Sequence, residues 1–140
     1  MSQENVEVVR ATFEVWNAGD MDALRELYDP NVTLWLMEDF PEPGPHVGLE
    51  AVMRHWKQQR EAFDADTADP IGDFIDTADH VLVRFVWRGR GLGPDSDMEV
   101  TQVITVRKGK IFLLEHFWDH AEALETVGLS EQDAHADTST

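Results

Sequence analysis

Residues 98–118, MEVTQVITVRKGKIFLLEHFW, read as two strands joined by a tight hairpin. Apolar and polar residues alternate with a period of two on both sides of Arg107-Lys108-Gly109. Met98, Val100, Gln102, Ile104 and Val106 fall on one face, and Glu99, Thr101, Val103 and Thr105 on the other. Arg107-Lys108-Gly109 suits a three-residue loop with Gly109 in the left-handed conformation. An odd-length loop places Phe112, Leu114, His116 and Trp118 on the face of Gln102. In that register Gln102 lies opposite Leu114 and diagonal to His116.

An otherwise apolar face thus carries an amide and an imidazole on neighbouring strands. Burying either costs free energy unless it is hydrogen-bonded. Gln102 and His116 therefore either satisfy one another or serve a ligand. Trp56, Phe85, Trp87 and Trp118 are the aromatic residues able to wall a site for a flat apolar molecule, or else to form plain core. On the opposite face Ile111, Leu113 and Phe117 join Leu82 and Val86. An apolar outer face calls for a covering partner, and a homodimer is the simplest one.

Outward from this hairpin, 80–91 is a strong strand with Val81, Val83, Phe85 and Trp87 inward, and 71–76 a weaker one. Upstream the period changes to that of helices. Val6, Val9, Phe13 and Trp16 recur at spacings of three and four, and Asn17-Ala18-Gly19 ends that helix. Asp20 caps a short second helix with Leu24, Leu27 and Tyr28. Asp29-Pro30-Asn31 reads as a turn into a short strand, 32–37. Pro41, Pro43, Gly44 and Pro45 exclude regular structure from 38–47. A third helix spans about 49–63 with Leu49, Val52, Trp56 and Phe63 inward. Asp119, with Glu122, caps a last helix that Gly128 closes. Helices, one strand, a helix and then a run of antiparallel strands make an α+β plan, a curved sheet with helices on one face. Residues 1–128 form one domain, and 129–140 a polar tail expected to be disordered.

Composition narrows the function. The chain has 140 residues, enough for one core, and a net charge of −17 that repels phosphate. Nucleic acid and anionic membranes are not expected partners. No apolar run approaches the length of a membrane span. Cysteine is absent, which excludes disulfides and thiolate chemistry. A cytoplasmic location is expected. His116 and His120 share metal-like spacing, but His116 sits on a strand. Asp64, Asp66 and Asp69 lack the glycine and closing glutamate of a calcium loop. No metal is expected. Glu38 and Asp39 flank the expected mouth of the fold, and His55 and Arg54 lie on the third helix.

The layout resembles the SnoaL-like branch of the nuclear-transport-factor-2-like superfamily. The resemblance runs through Trp16-Asn17-Ala18-Gly19-Asp20, Leu27-Tyr28-Asp29-Pro30-Asn31-Val32, Gly48-Leu49-Glu50-Ala51-Val52, Val106-Arg107-Lys108-Gly109-Lys110-Ile111 and Phe117-Trp118-Asp119, covering about residues 4–128. It implies a cone-shaped curved antiparallel sheet with three N-terminal helices packed on its concave face, a pocket inside the cone, and dimers formed through the sheet. It does not fix a reaction, because one fold hosts many. Matching the ketosteroid isomerases places their carboxylate base at Leu36, their tyrosine at Thr12 and their oxyanion-hole acid at Gln102. Matching the limonene-epoxide hydrolases places their carboxylates at His116 and Trp87 and their arginine at Phe85. Both mechanisms lose essential groups here. The polyketide cyclases use an acid/base near His116, a role that imidazole can fill.

The expected function is therefore a pocket protein that acts on or binds a small lipophilic molecule. His116 would be the acid/base and Gln102 would hold the oxygen where charge develops. Thr12, Trp16, Leu36, Trp56, Phe85, Trp87, Leu114 and Trp118 would contact the substrate, with no metal or organic cofactor. The alternatives are a non-catalytic ligand-binding protein and an interaction module that uses the sheet face.

Overall fold

The computed structural model describes residues 2–62, 67–77, 80–89 and 96–129. Phe63, Asp64, Asp66 and the tail 130–140 lie outside them. Helix α1 spans Ser2–Ala18, α2 Met21–Glu26, α3 Leu49–Ala62 and α4 His120–Thr126. The strands are β1 Tyr28–Trp35, β2 His46–Val47, β3 Thr67–Asp76, β4 His80–Gly89, β5 Ser96–Arg107 and β6 Lys110–Phe117. They form one sheet in the order β2-β1-β6-β5-β4-β3. The fold is the α+β cone expected, with one refinement. β1 runs parallel to β6, so the sheet is mixed. The chain reaches that position through the helical first quarter, and no hairpin constrains its direction.

The first three helices cover the inner face of the sheet. Val9, Phe13, Trp16, Leu24, Val52 and Trp56 pack there against Val81, Val83, Phe85, Trp87, Val100 and Ile104. The Asp20 carboxylate accepts from Ala23 N at 3.0 Å and starts α2 as a capping residue should. Asp29-Pro30-Asn31 is not a separate turn. It lies inside β1, where the register with β6 is broken between Tyr28 and Thr33, and the Asp29 side chain accepts from Asn31 N at 2.8 Å. This local side-chain bond is what the turn-like composition signalled. On α3 the inward residues are Val52, His55, Trp56 and Gln59.

The hairpin corrects the expected register. Its loop has two residues, Lys108 and Gly109, with φ of 51° and 77°, and Arg107 pairs with Lys110. Two consecutive left-handed residues match the twist of the strands, and Gly109 adopts this conformation without steric penalty. A bulge between Thr105 and Val106 on one side and Ile111 and Leu113 on the other then absorbs Phe112. Parity is restored beyond it, but Gln102 now faces His116 directly and Ile104 faces Leu114. Ile111, expected outside, is fully buried in the inner core. Phe112, expected inside, instead has the Arg107 guanidinium 4.0 Å above its ring.

The outer face is also revised. Leu82 and Val103 pack against Ala123 and Leu124 of α4, with Ile75, Phe117, Val127 and Leu129 around them. The chain's own last helix therefore covers part of the surface that the sequence assigned to a partner. Asp119 Oδ1 accepts from Ala121 N at 2.9 Å to start this helix. At its end, Gly128 N bonds Glu125 O and Leu129 N bonds Leu124 O, a closure in which Gly128 takes a φ of 79°. The packed part of the chain thus extends to Leu129.

Candidate functional site

The centre of the inner face is a polar pair inside an aromatic shell. Gln102 and His116 are 8% and 4% exposed. Their Nε2 atoms are 2.9 Å apart, and His116 Nδ1 lies 2.9 Å from the Trp35 carbonyl oxygen. A carbonyl only accepts, so Nδ1 carries the proton. Nε2 then offers its lone pair to the Gln102 amide N–H. Burial pushes the imidazole down to about 4; the Trp35 carbonyl opposes that shift and His55 adds to it. At neutral pH His116 is an uncharged ring with both nitrogens engaged. The bond spends the Gln102 nitrogen on His116 and leaves Gln102 Oε1 buried without a partner.

Trp87 stacks over His116 with centroids 6.3 Å apart, and Trp56 and Phe85 stand edge-on at 6.2 and 6.4 Å. Trp16 meets Trp56 at 5.3 Å. These rings leave an inner cavity of only about 40 Å³. Thr12, Trp16, Trp56, Phe85, Trp87, Gln102 and His116, all singled out in the sequence, line it. The Thr12 hydroxyl is already committed, donating to Val9 O at 2.6 Å.

Three singled-out residues sit elsewhere. Leu114 is buried in the inner core beside Ile104. Leu36 and Trp118 line an outer groove of about 370 Å³ with Glu38, Asp39, Asp119 and Glu122. Trp118 is 44% exposed and donates its indole N–H to Asp39 Oδ1 at 2.8 Å. It forms part of the rim, because β6 ends at Phe117 and the inside–outside alternation ends with it. His116 lines both the inner cavity and the outer groove, so it is the partition between them.

Sequence reasoning missed one site residue, Tyr28, and left another, His55, between pocket and surface. Tyr28, read as part of the short second helix, instead starts β1, lines the inner cavity and accepts from Trp56 Nε1 at 3.0 Å. Burial raises its phenol well above the ordinary range, so it stays protonated. Its signal was its place beside the Asp-Pro-Asn bulge, where the chain turns inward. His55 is buried on α3. It packs on His46 at 4.5 Å and lines a second chamber of about 490 Å³ with Phe40, Pro41 and Met98. Burial and then His46 hold its ring below the usual value, while Glu42 and Gln59 oppose them. Among the described residues no group of three or more His, Asp or Glu is placed to hold a metal.

An α+β cone with an aromatic interior and a buried amide–imidazole pair defines the class. The chain belongs to the SnoaL-like domain family, whose model matches residues 9–114. A comparison with curated protein sequences finds no match. Among solved structures, Bal32a from a soil-derived mobile gene cassette is similar at 21% identity, with 83% of this chain and 89% of that one covered and a TM-score of 0.77. A candidate polyketide cyclase of Sinorhizobium meliloti is similar at 28% identity, with 79% and 94% covered and a TM-score of 0.68. TerC, co-crystallised with polyporic acid, is similar at 19% identity, with 87% and 96% covered and a TM-score of 0.73. Among the described residues no helix is long and apolar enough to cross a membrane.

Proposed function

We propose that this protein binds a small lipophilic molecule inside the cone and acts on it by cofactor-independent acid–base chemistry at His116, in the manner of a cyclase or isomerase. The observation that carries this reading is the Gln102–His116 pair, buried among Trp56, Phe85 and Trp87 yet left with an unpartnered acceptor at Gln102 Oε1. A pair retained only for packing has no use for that penalty. The candidate cyclase of Sinorhizobium meliloti supports the reaction class. The neutral ring assigns His116 the part of base, accepting a proton at Nε2 once the ligand draws the Gln102 amide away. Access is from the outer groove, which His116 borders.

The second reading is binding without turnover. It is favoured by the engagement of both His116 nitrogens and by a basicity near 4, which makes the ring a weak base. A homodimer through the outer sheet face belongs to either reading, supported by the half-buried Val86 and Leu113 on that side. The acidic, cysteine-free composition supports a cytoplasmic setting.

Thermal-shift measurements with enones, terpenoids and aromatic polyketides test the binding step. A ligand bound only by the native state raises Tm, and the rise should vanish in Gln102→Leu. A panel without any shift, or a shift that survives in Gln102→Leu, overturns the proposal. Product analysis on the ligands that bind then separates the readings. Turnover that His116→Gln abolishes supports catalysis, and unchanged ligand supports binding alone.

A further inference from the structure

The inner cavity carries unmet polar groups besides Gln102 Oε1. Trp16 Nε1 is also buried and without a hydrogen-bond partner. Tyr28 accepts from Trp56 through its oxygen, and its own proton is still to be donated. All three side chains line the same cavity of about 40 Å³. Two donors and one acceptor around so small a space select a partner that accepts twice and donates once.

We propose that this cavity is a hydroxyl-binding site, in which Trp16 Nε1–H and Tyr28 O–H donate to one oxygen and Gln102 Oε1 accepts that oxygen's proton. A water molecule, which needs only about 10–15 Å³ of such space, meets the requirement, as does an alcohol oxygen with its first carbon. A carbonyl oxygen does not, because it leaves Gln102 Oε1 unmet. The Thr12 hydroxyl is spent on Val9 O and does not compete. The ligand form of this site rests on the proposed function and adds to it that the bound molecule presents a hydroxyl at its buried end. Such a ligand should bind about tenfold more tightly than its keto or deoxy counterpart, since each counterpart leaves at least one buried group unpaired.

The test uses the intact chain and methanol as probe. A high-resolution crystal structure should show an oxygen within about 3.2 Å of Trp16 Nε1, Tyr28 Oη and Gln102 Oε1. In solution, magnetisation should pass from that bound group to the Trp16 indole proton, one of five indole signals. An oxygen that methanol replaces identifies the site as open to alcohols, and one that methanol never replaces identifies it as a water site. Both support the hydroxyl site. A dry cavity, or an oxygen bonded to fewer than two of the three groups, overturns it. The two proposals fail separately. A bound oxygen with no lipophilic ligand in the thermal-shift panel leaves the hydroxyl site standing and removes the proposed function. Ligand binding over a dry cavity does the reverse.

Discussion

One residue along the same strands separates two different treatments of the sheet. On the outer face Leu82 pairs with Val103, and Leu124 and Ala123 of α4 close over them. On the inner face Val83 pairs with Gln102, and Gln102 with His116. The outer face is sealed by apolar side chains, with a Thr101–His120 hydrogen bond of 3.0 Å at the start of α4. The inner face sets a polar pair in its centre and leaves one acceptor unmet. The contrast continues on β6, where burial raises Glu115 on the outer side and lowers His116 on the inner side. Both shifts disfavour the charged form. Stability therefore comes from the outer seal and the aromatic shell, and the polar centre is retained against stability.

The largest effect should follow from breaking the seal. Leu82→Ala empties a fully buried position and should cost about 3 kcal/mol in urea denaturation, with the inner cavity and its ligand response intact. A loss below about 1 kcal/mol would mean that α4 does not close this face.

The next effect is the pH dependence of the polar centre. His116 titrates near 4 folded and near 6.5 unfolded, so between these values the unfolded chain binds more protons. Its contribution is complete above 6.5 and declines as pH falls toward 4. Between pH 7 and 5 the loss should be about 2 kcal/mol. His55 is shifted in the same direction, and Glu115 acts oppositely, since its raised value makes the folded chain bind the extra proton. His116→Gln should flatten most of this slope in denaturation curves taken at several pH values. An unchanged slope would place it on other groups.

How far the sequence could be read follows from the same contrast. Period-two alternation identifies both faces of β4 and β5, and Gln102 and His116 stand out because each is a polar residue at an apolar beat. Their direct pairing was not legible. A three-residue loop and a two-residue loop followed by a bulge at Phe112 give the same parity and differ by two residues in register. The inner position of Ile111 and the outer one of Phe112 follow from that bulge alone. Coverage of Leu82 by α4 depends on where a short C-terminal helix docks, which no local pattern encodes. The tightness of the cavity depends on how five or six aromatic rings interlock, a property of packing and not of period.

Gln102→Leu should change stability by no more than about 1 kcal/mol, because its parts oppose one another. The variant strips His116 Nε2 of its donor, which destabilises. It also removes the unmet Oε1 and adds apolar contact with Trp87 and Trp56, which stabilise. A loss above about 3 kcal/mol would show that the amide is a structural necessity, and the functional reading of the pair would lose its main support.

The smallest effect belongs at the rim. Trp118→Phe keeps a ring near Phe40, whose centroid lies 6.3 Å away, and deletes only the indole N–H that Asp39 accepts. Half of this side chain is in water, so the lost bond is replaced by solvation and stability should move by less than about 0.5 kcal/mol. The ligand response should then report what the rim does. If Trp118 only edges the outer groove, the thermal shift is the same as in the parent protein. A shift that shrinks while stability holds would mean that the 38–45 loop, tied through Asp39 to Trp118 just beyond β6, helps to enclose the bound molecule, and the contrast between core and rim would have to be redrawn.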